Sequence, residues 1–390
     1  MNILFVNDFP FSDAGGVGRV TQTLAGQFMD LGHKVLYLAL TGGQDFVAAG
    51  IKQSFLADEK GGTRGKIRFV TDFFKKYSFD LIINQGGTKR NVLGIITKAN
   101  KGKIPVFSVH HNCVNGIIDN YQQIISEGYR TNLFASLIKN PFIFFFIKAY
   151  FRVNYARDFR RTINCSERLV LLSERFIPEV LNLLHTKKND KLTAIPNPAP
   201  FDPIHDIDKK ENRILFVGRA DIRQKRIDLL LRIWEILYKK HEDWSFDIVG
   251  DGPDLQRIKL DALNMQLPGI YFHGNKDPRA YLEKAKLFCM TSAFEGFGMV
   301  LVEAQAYGVV PFAFNTFPNL EDIIEDKKNG VIIPPFDIIR YASEMSDLMS
   351  DEKRRFSMAR NAQNAVSRYD RNAIALKWIE LRNELKSSVR

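Results

Sequence analysis

Short apolar runs alternate with longer amphipathic segments along the chain. Residues 3–6 form a continuous apolar run, which is typical of a strand buried on both faces of a parallel sheet. Apolar side chains then recur at positions 17, 20, 24, 28 and 31, the spacing of one helical face, and a second strand-like run follows at 35–38. This order predicts an α/β unit that binds its ligands at the carboxyl ends of the strands.

The same pattern starts again after a change of composition near the middle of the chain. Prolines at 196, 198, 200 and 203 precede a charged stretch at 206–213, as in a linker, and strand-like runs resume at 214–217, 246–249 and 287–290. We therefore predict two Rossmann-like domains whose parallel sheets face each other across a central cleft. The predicted parts are an N-terminal domain at 1–196, a linker at 197–212, a second domain at 213–370, and a C-terminal helix at 371–390 that packs back on the first domain.

Composition narrows the class of protein without choosing a function. The 390 residues are 45% hydrophobic, enough for two buried cores, and the formal net charge of +11 favours anionic partners. The three cysteines, Cys113, Cys165 and Cys289, are far apart, which argues against a disulfide framework or a zinc site and predicts a reducing compartment. The first residues lack the features of a signal peptide. We expect a cytoplasmic protein.

The most informative segment for chemistry is at 294–304. A strand-like run ending at Met290 is followed by a glycine-containing loop and a helix that begins near Gly298. Glycines allow a ligand to approach the backbone, and the N–H groups at a helix start suit a phosphate. Glu295 in the loop and Glu303 on the helix could accept hydrogen bonds from sugar or ribose hydroxyls. The alternative is a capped surface helix with two solvated glutamates.

The spacing of Glu295 and Glu303 around Phe297 and Gly298 resembles the E-x-F-G-x-x-x-x-E element of retaining glycosyltransferases of family four. Other family motifs have counterparts in the expected order: Gly218-Arg219 with Lys225, V-G-D-G-P at 249–253, F-x-G at 272–274, the residues A-Y-G-V-V-P at 306–311 in place of A-x-G-x-P, and Pro196-Asn197-Pro198 in place of P-N-G. The resemblance is most specific at 214–335 and looser at 40–190. The chain departs from it at Arg226 and Pro198, where the family has glycine.

The resemblance implies the GT-B fold and the transfer of a hexose-type sugar, UDP-linked, to a saccharide or lipid-linked acceptor in envelope polysaccharide synthesis. It implies that Glu303 binds the ribose, that Glu295 holds sugar hydroxyls, and that Arg219 and Lys225 neutralise the diphosphate. His110, which follows the strand-like run at 106–109, matches a family histidine near the reacting sugar, although a lone histidine is often structural. The full predicted donor-binding set is Gly15, Gly16, Arg219, Lys225, Gly250, Gly274, Asn275, Phe297, Gly298, Met299, Val300 and Glu303.

The mechanism implied by the family uses no enzyme nucleophile, and the leaving phosphate takes the proton of the acceptor. Glu295, His110, Arg219 and Lys225 form the predicted catalytic group, with no metal and no cofactor. The one D-x-D sequence, Asp206-Ile207-Asp208, lies in the predicted linker and is interpreted as a solvated charge run.

Between Leu133 and Arg161 the chain combines aromatic and basic residues. This composition suits a segment lying on an anionic membrane surface, here the inner face of the plasma membrane. The alternative is a helix docked on the first domain with an exposed basic face.

Three other functions compete. Sugar-nucleotide epimerases share the architecture but lack the E-x-F-G-x-x-x-x-E spacing. A nicotinamide dehydrogenase would need a third glycine where Thr21 stands. A nucleic-acid partner is suggested by charge alone, and no motif supports it.

Overall fold

The computed structural model describes residues 1–10, 15–41, 54–56, 62–119, 141–201 and 207–387. The chain divides into two compact units. The first comprises residues 1–114, 146–200 and 369–390, and the second comprises residues 115–145 and 201–368. Each unit is an α/β domain with a parallel sheet, which confirms the predicted fold class.

In the first unit the described strands form a seven-stranded parallel sheet of order β3-β2-β1-β4-β5-β6-β7. Their bounds are β1 Asn2–Asn7, β2 Lys34–Ala39, β3 Ser54–Leu56, β4 Leu81–Asn84, β5 Val106–Val109, β6 Arg168–Leu171 and β7 Leu192–Ala194. Strands β1, β4 and β5 are the central apolar runs of the sequence, and their middle residues are buried because helices cover both faces of the sheet.

In the second unit the described strands form a six-stranded parallel sheet of order β10-β9-β8-β11-β12-β13. Their bounds are β8 Glu211–Val217, β9 Ser245–Val249, β10 Ile270–Gly274, β11 Ala285–Met290, β12 Val310–Phe314 and β13 Val331–Ile333. The core is built from the inner faces of these strands and from helical residues such as Trp234 and Tyr341, which are fully buried.

The helices connect and cover the strands. In the described part of the chain they are α1 Gly16–Asp30, α2 Gly62–Lys76, α3 Arg90–Asn100, α4 Val114–Asp119, α5 Pro141–Cys165, α6 Ile177–Leu184, α7 Ile227–Leu237, α8 Leu255–Asn264, α9 Arg279–Lys284, α10 Met299–Ala306, α11 Leu320–Ile323, α12 Ile338–Ser350, α13 Glu352–Ala365 and α14 Arg371–Ser387. None of these helices combines the length and the apolar character needed to cross a bilayer.

The described residues at both ends of the predicted linker pack on the units. Ala199 N donates to Tyr369 O at 2.8 Å within the first unit, while Ile207 is buried in the core of the second. Because burying an apolar side chain is favourable, Ile207 packs in that core although it lies in the predicted linker. Residues 202–206, including Asp206 of the D-x-D sequence, lie outside the described residues.

The C-terminal helix belongs to the first unit. Helix α14 contacts α1, and Arg382 Nε donates to the carbonyl of Asp80 at 2.8 Å, just before β4. The last segment of the chain therefore packs on the first sheet after the second unit is complete.

Candidate active site

The predicted donor site lies at the carboxyl edge of the second sheet. Strand β8 leads into a loop at 218–226 and its parallel neighbour β11 leads into a loop at 291–298. Because neighbouring parallel strands end at the same edge, the two loops meet there. This brings together residues that are about 70 positions apart in the sequence.

Hydrogen bonds tie one loop to the other. Ala293 N donates to Gln224 O at 2.7 Å, and Thr291 Oγ1 donates to Lys225 O at 2.8 Å. Gln224 Nε2 also donates to Phe294 O at 3.3 Å. These contacts involve backbone groups, so they fix the course of both loops and not only their side chains.

The fixed loops place Lys225 and Glu295 in an ion pair. Lys225 Nζ lies 2.6 Å from Glu295 Oε1, and the two side chains are 16% and 9% exposed. This pairing is physically required, because a carboxylate with so little exposure is stable only when it is paired or hydrogen-bonded.

Arg219 lies in the same loop and is also oriented by a carboxylate. Its Nη2 is 2.8 Å from Asp221 Oδ2 and 3.3 Å from Gln224 Oε1, and its side chain is 58% exposed. The other oxygen of Asp221 accepts from the amides of Arg223 and Gln224. Arg219 is therefore a pre-oriented, accessible cation beside the Lys225–Glu295 pair.

Gly250 shows why a glycine is needed at the end of β9. Its φ is 137°, and a Cβ added there would lie 1.8 Å from the carbonyl oxygen of Gly218. Gly250 N donates to Gly274 O at 2.8 Å, so the ends of β8, β9 and β10 are drawn together. Asn275, the next predicted residue, is exposed just beyond β10.

Gly298 turns the second loop into helix α10. It adopts a left-handed conformation with φ 87°. Phe297 is buried, and its carbonyl accepts from Asn319 Nδ2 at 2.9 Å. Met299 and Val300 form the first turn, where helix geometry leaves backbone N–H groups without intrahelical partners.

Glu303 lies in the second turn of α10 and is only 2% exposed. Helix α10 is apolar and almost entirely buried after its first turn, which carries Glu303 inward with its neighbours.

Two of the predicted donor-binding residues are glycines of the first unit. Gly15 and Gly16 lie at the start of α1, and a Cβ built on either one would meet no heavy atom within 4 Å. The backbone there is open to a ligand. Residues 11–14, which precede it, lie outside the described residues.

His110 follows β5 and is held in aromatic surroundings. Its Nε2 lies 3.1 Å from Tyr155 Oη, and its ring centroid is 4.8 Å from that of Phe159. Burial, with a smaller contribution from the neighbouring His111, lowers the pKa of His110 to about 3. The imidazole is therefore neutral at physiological pH.

Sequence reasoning missed the residues that hold this region. His111 Nε2 lies 2.6 Å from Gln85 Oε1 at the end of β4, and burial lowers the pKa of His111 to about 4. Tyr155 and Phe159 are one turn apart on α5. Their helical spacing is visible in the sequence, but it gives no sign that they face a strand end 45 residues away.

Comparison with known proteins agrees with this geometry. The family model of glycosyl transferases group 1 matches residues 200–365. An uncharacterized glycosyltransferase of Haemophilus influenzae is 28% identical over 194 residues, 49% of this chain and 55% of that protein. A poly(ribitol-phosphate) alpha-N-acetylglucosaminyltransferase of Staphylococcus aureus is 28% identical over 59% of this chain and 49% of its own length. The chain spans about half the length of the curated relatives it matches.

Solved structures resemble the whole chain. TarM has a TM-score of 0.74 with 15% identity, covering 98% of both chains. Sucrose-phosphate synthase from Thermosynechococcus elongatus has a TM-score of 0.76 with 17% identity, covering 99% of both. At this identity the likeness shows the fold. Residues 200–365 therefore resemble the glycosyl transferases group 1, and the chain has the GT-B fold.

Proposed function

We propose that the protein is a retaining glycosyltransferase that moves a hexose-type sugar from a nucleotide diphosphate sugar, UDP-linked, to a saccharide or lipid-linked saccharide acceptor. The observation that carries this proposal is the Lys225–Glu295 ion pair with Arg219 beside it, set between the ends of β8 and β11. Cations and a carboxylate at one strand edge match the two ends of a sugar diphosphate, since one end is anionic and the other carries hydroxyls.

Each residue has a distinct task in this proposal. Lys225 and Arg219 stabilise the negative charge that grows on the diphosphate as the glycosidic bond breaks. Glu295 accepts hydrogen bonds from sugar hydroxyls, and its pairing with Lys225 fixes the position of its carboxylate. The first N–H groups of α10, at Met299 and Val300, add donors to phosphate oxygens. Glu303 binds the ribose after a local movement that opens its carboxylate.

The first unit contributes neutral contacts. Because the pKa of His110 is far below 7, this residue does not donate a proton as a general acid at neutral pH. We assign it a hydrogen bond to the transferred sugar, with Tyr155 holding the ring. Gly15 and Gly16 give the donor room to approach the backbone of α1.

The reaction needs no nucleophile from the protein. The acceptor oxygen attacks the anomeric carbon on the face from which the diphosphate departs, and a phosphate oxygen takes the acceptor proton. The configuration is therefore retained. Lys225 and Arg219 supply the compensating charge, so the proposal includes no metal.

The names of relatives support an envelope polysaccharide as the setting. Matches include a lipopolysaccharide 1,6-galactosyltransferase of Escherichia coli and an amylovoran biosynthesis glycosyltransferase of Erwinia amylovora. Structural neighbours have been solved in complex with UDP and with UDP-glucose. Both of these relatives are named as transferases, which favours transfer over the alternative of a sugar-nucleotide epimerase.

A two-step experiment tests the proposal. A panel of nucleotide sugars is first screened for thermal stabilisation, because a ligand at 100 times its Kd stabilises the folded state by about 2.7 kcal/mol. The selected donor is then incubated with saccharide acceptors. We expect free nucleoside diphosphate and a product of unchanged anomeric configuration, with activity that survives EDTA. An epimerised donor formed without acceptor would contradict the proposal, and activity that requires added Mn²⁺ would contradict its metal-free form.

We also propose that the protein contacts the inner face of the plasma membrane from the cytoplasm through the segment between Leu133 and Arg161. Residues 133–140 lie outside the described residues, but α5 carries exposed aromatic side chains beside cations. Changing Lys148, Arg152, Arg157 and Arg160 together to Glu should detach the protein from anionic liposomes. Unchanged binding would contradict this contact.

A further inference from the structure

One side of helix α5 is exposed and apolar. Phe146 is 69% exposed, Tyr150 68% and Val153 51%. Their spacing of three and four residues places them along one side of the helix. Exposing large apolar side chains to water is unfavourable, so this surface suits an apolar or interfacial environment.

A cavity of about 210 Å³ lies beside this surface, between α5 and α6. Its polar lining side chains are Arg152, Arg160 and His185, and the remaining lining residues are Ala149, Val153, Ala156 and Leu183. No carboxylate lines the cavity among the residues that the structure describes. Val153 belongs both to the cavity and to the exposed apolar side.

The two arginines are placed to share one ligand. They lie two turns apart with Ala156 between them, so about 12 Å separates their Cα atoms. The small side chain of Ala156 leaves the space between them open. Arg160 Nη2 donates to the carbonyl of Leu184 at 3.3 Å, and the other N–H groups of this guanidinium remain for a ligand.

Two arginines beside exposed apolar side chains suit a phosphate group that lies at an apolar boundary. Guanidinium groups bind phosphate oxygens through paired, charge-assisted hydrogen bonds. A free phosphate in solution would make no favourable contact with the neighbouring aromatic side chains. A phospholipid bilayer offers both features, because its phosphates lie just above the layer that accepts Phe and Tyr side chains.

We propose that the cavity between α5 and α6 binds the phosphate headgroup of an anionic phospholipid, while Phe146 and Tyr150 enter the bilayer interface. This inference rests on the membrane contact proposed above and deepens it from a general attraction to one headgroup site. It does not depend on the transfer reaction.

The experiment compares two pairs of substitutions with the same charge change on the same helix. The cavity pair is Arg152→Gln with Arg160→Gln, and the control pair is Lys148→Gln with Arg157→Gln, whose side chains do not line the cavity. Sedimentation measures binding of the full chain to vesicles of phosphatidylcholine, with or without phosphatidylglycerol. Two cations near an anionic surface contribute about 30-fold to partitioning. We expect a loss of about 30-fold or less for the control pair and a loss about tenfold larger for the cavity pair, because the cavity pair also gives up charge-assisted hydrogen bonds to the phosphate.

Each outcome decides the matter. Equal losses in both pairs overturn the headgroup site and leave only a general electrostatic contact, while no binding by the wild type overturns the membrane contact altogether. If the cavity pair unfolds, Val153→Glu takes its place, because this exposed position brings a carboxylate into the cavity without removing Arg160 from Leu184. Wild-type binding by that variant also overturns the site. Transfer to a soluble acceptor, measured separately without vesicles, reports on the proposed enzyme activity alone.

Discussion

The strand ends around Glu295 and those around His110 solve different physical problems. In the second unit a lysine and a glutamate with little exposure neutralise each other, and an accessible arginine lies beside them. In the first unit the ring of His110 is buried against Phe159 and meets the hydroxyl of Tyr155, and burial lowers its pKa to about 3. One region holds formal charge and the other excludes it.

This difference matches the proposed division of labour. A departing diphosphate develops charge, and fixed cations stabilise that charge without reorganising. A sugar ring has no charge, so neutral donors and acceptors can position it without attracting the wrong part of the donor. Substitutions around Glu295 should therefore affect the stabilisation of charge on the diphosphate, and substitutions around His110 should affect the positioning of the sugar.

The largest effect should come from the framework of the charged region. Gly250→Ala places a methyl group 1.8 Å from the carbonyl oxygen of Gly218, so β8 and β9 must separate. We expect a loss of about 5 kcal/mol in the free energy of unfolding, or no folded second unit. Gly274→Ala is the matched control, since its φ is 68° but its Cβ would meet nothing within 4 Å, and it should cost about 1–2 kcal/mol. Chemical denaturation measures both, and equal losses would contradict the steric account.

The ion pair gives the next effect. Lys225→Ala or Glu295→Ala leaves the other charge with little solvent and no partner, which typically costs about 3 kcal/mol. The double variant should lose less than the sum of the two single losses. Denaturant titration of all four proteins completes this cycle. Additive losses would show that the two residues act independently and would remove the pair from the account.

Glu303 tests whether its carboxylate takes part in donor use. If Glu303 binds the ribose, Glu303→Ala should lower kcat/KM for the donor by roughly 10- to 150-fold, the effect of losing one charge-assisted hydrogen bond. Steady-state kinetics with the donor selected by the thermal screen gives this value. A variant that is stable and fully active would assign Glu303 to the core alone.

The buried, neutral His110 predicts that the free energy of unfolding depends on pH. Because the folded pKa of His110 lies below the unfolded value near 6.5, the unfolded chain takes up the proton first, and stability falls as pH drops from about 6.5 toward 3. At pH 5 this histidine accounts for about 2 kcal/mol of the loss. His110→Asn should flatten that part of the curve of unfolding free energy against pH. An identical curve for the variant would contradict the buried neutral histidine.

The smallest predicted effect is on positioning. Tyr155→Phe keeps the ring packed on Phe159 and removes only the hydroxyl 3.1 Å from His110. One neutral hydrogen bond contributes about 1 kcal/mol, so kcat/KM should fall about fivefold with little change in thermal stability. A fall in stability without a change in kcat/KM would make Tyr155 structural.

Much of the fold could be predicted because the relevant signals are local. The apolar runs of β1, β8 and β11 lie within a few residues, and so does the turn at Gly298 into α10. The resemblance to retaining glycosyltransferases of family four also came from short motifs whose spacing is readable in the chain.

The contacts that decide the chemistry could not be predicted, because they join distant residues. The partner of Glu295 is 70 positions away, and the partner of His110 is 45 positions away. The burial of Glu303 depends on how α10 packs against the rest of the second unit, and the glycine-containing loop before this helix does not reveal that packing. Ile207 joined the second core although prolines and charges surround it in the sequence.

The central claim is that the charged region of the second unit binds a nucleoside diphosphate, and calorimetric titration with UDP and with GDP tests it most directly. Arg219→Ala removes the accessible cation, whereas Arg226→Ala removes a cation that is paired with Asp228 and lies over the Phe336 ring. We predict that the wild type and Arg226→Ala bind one of the two nucleotides with similar Kd, and that Arg219→Ala binds it roughly 10- to 150-fold more weakly. Equal affinities for all three proteins, or no binding by the wild type, would contradict the account.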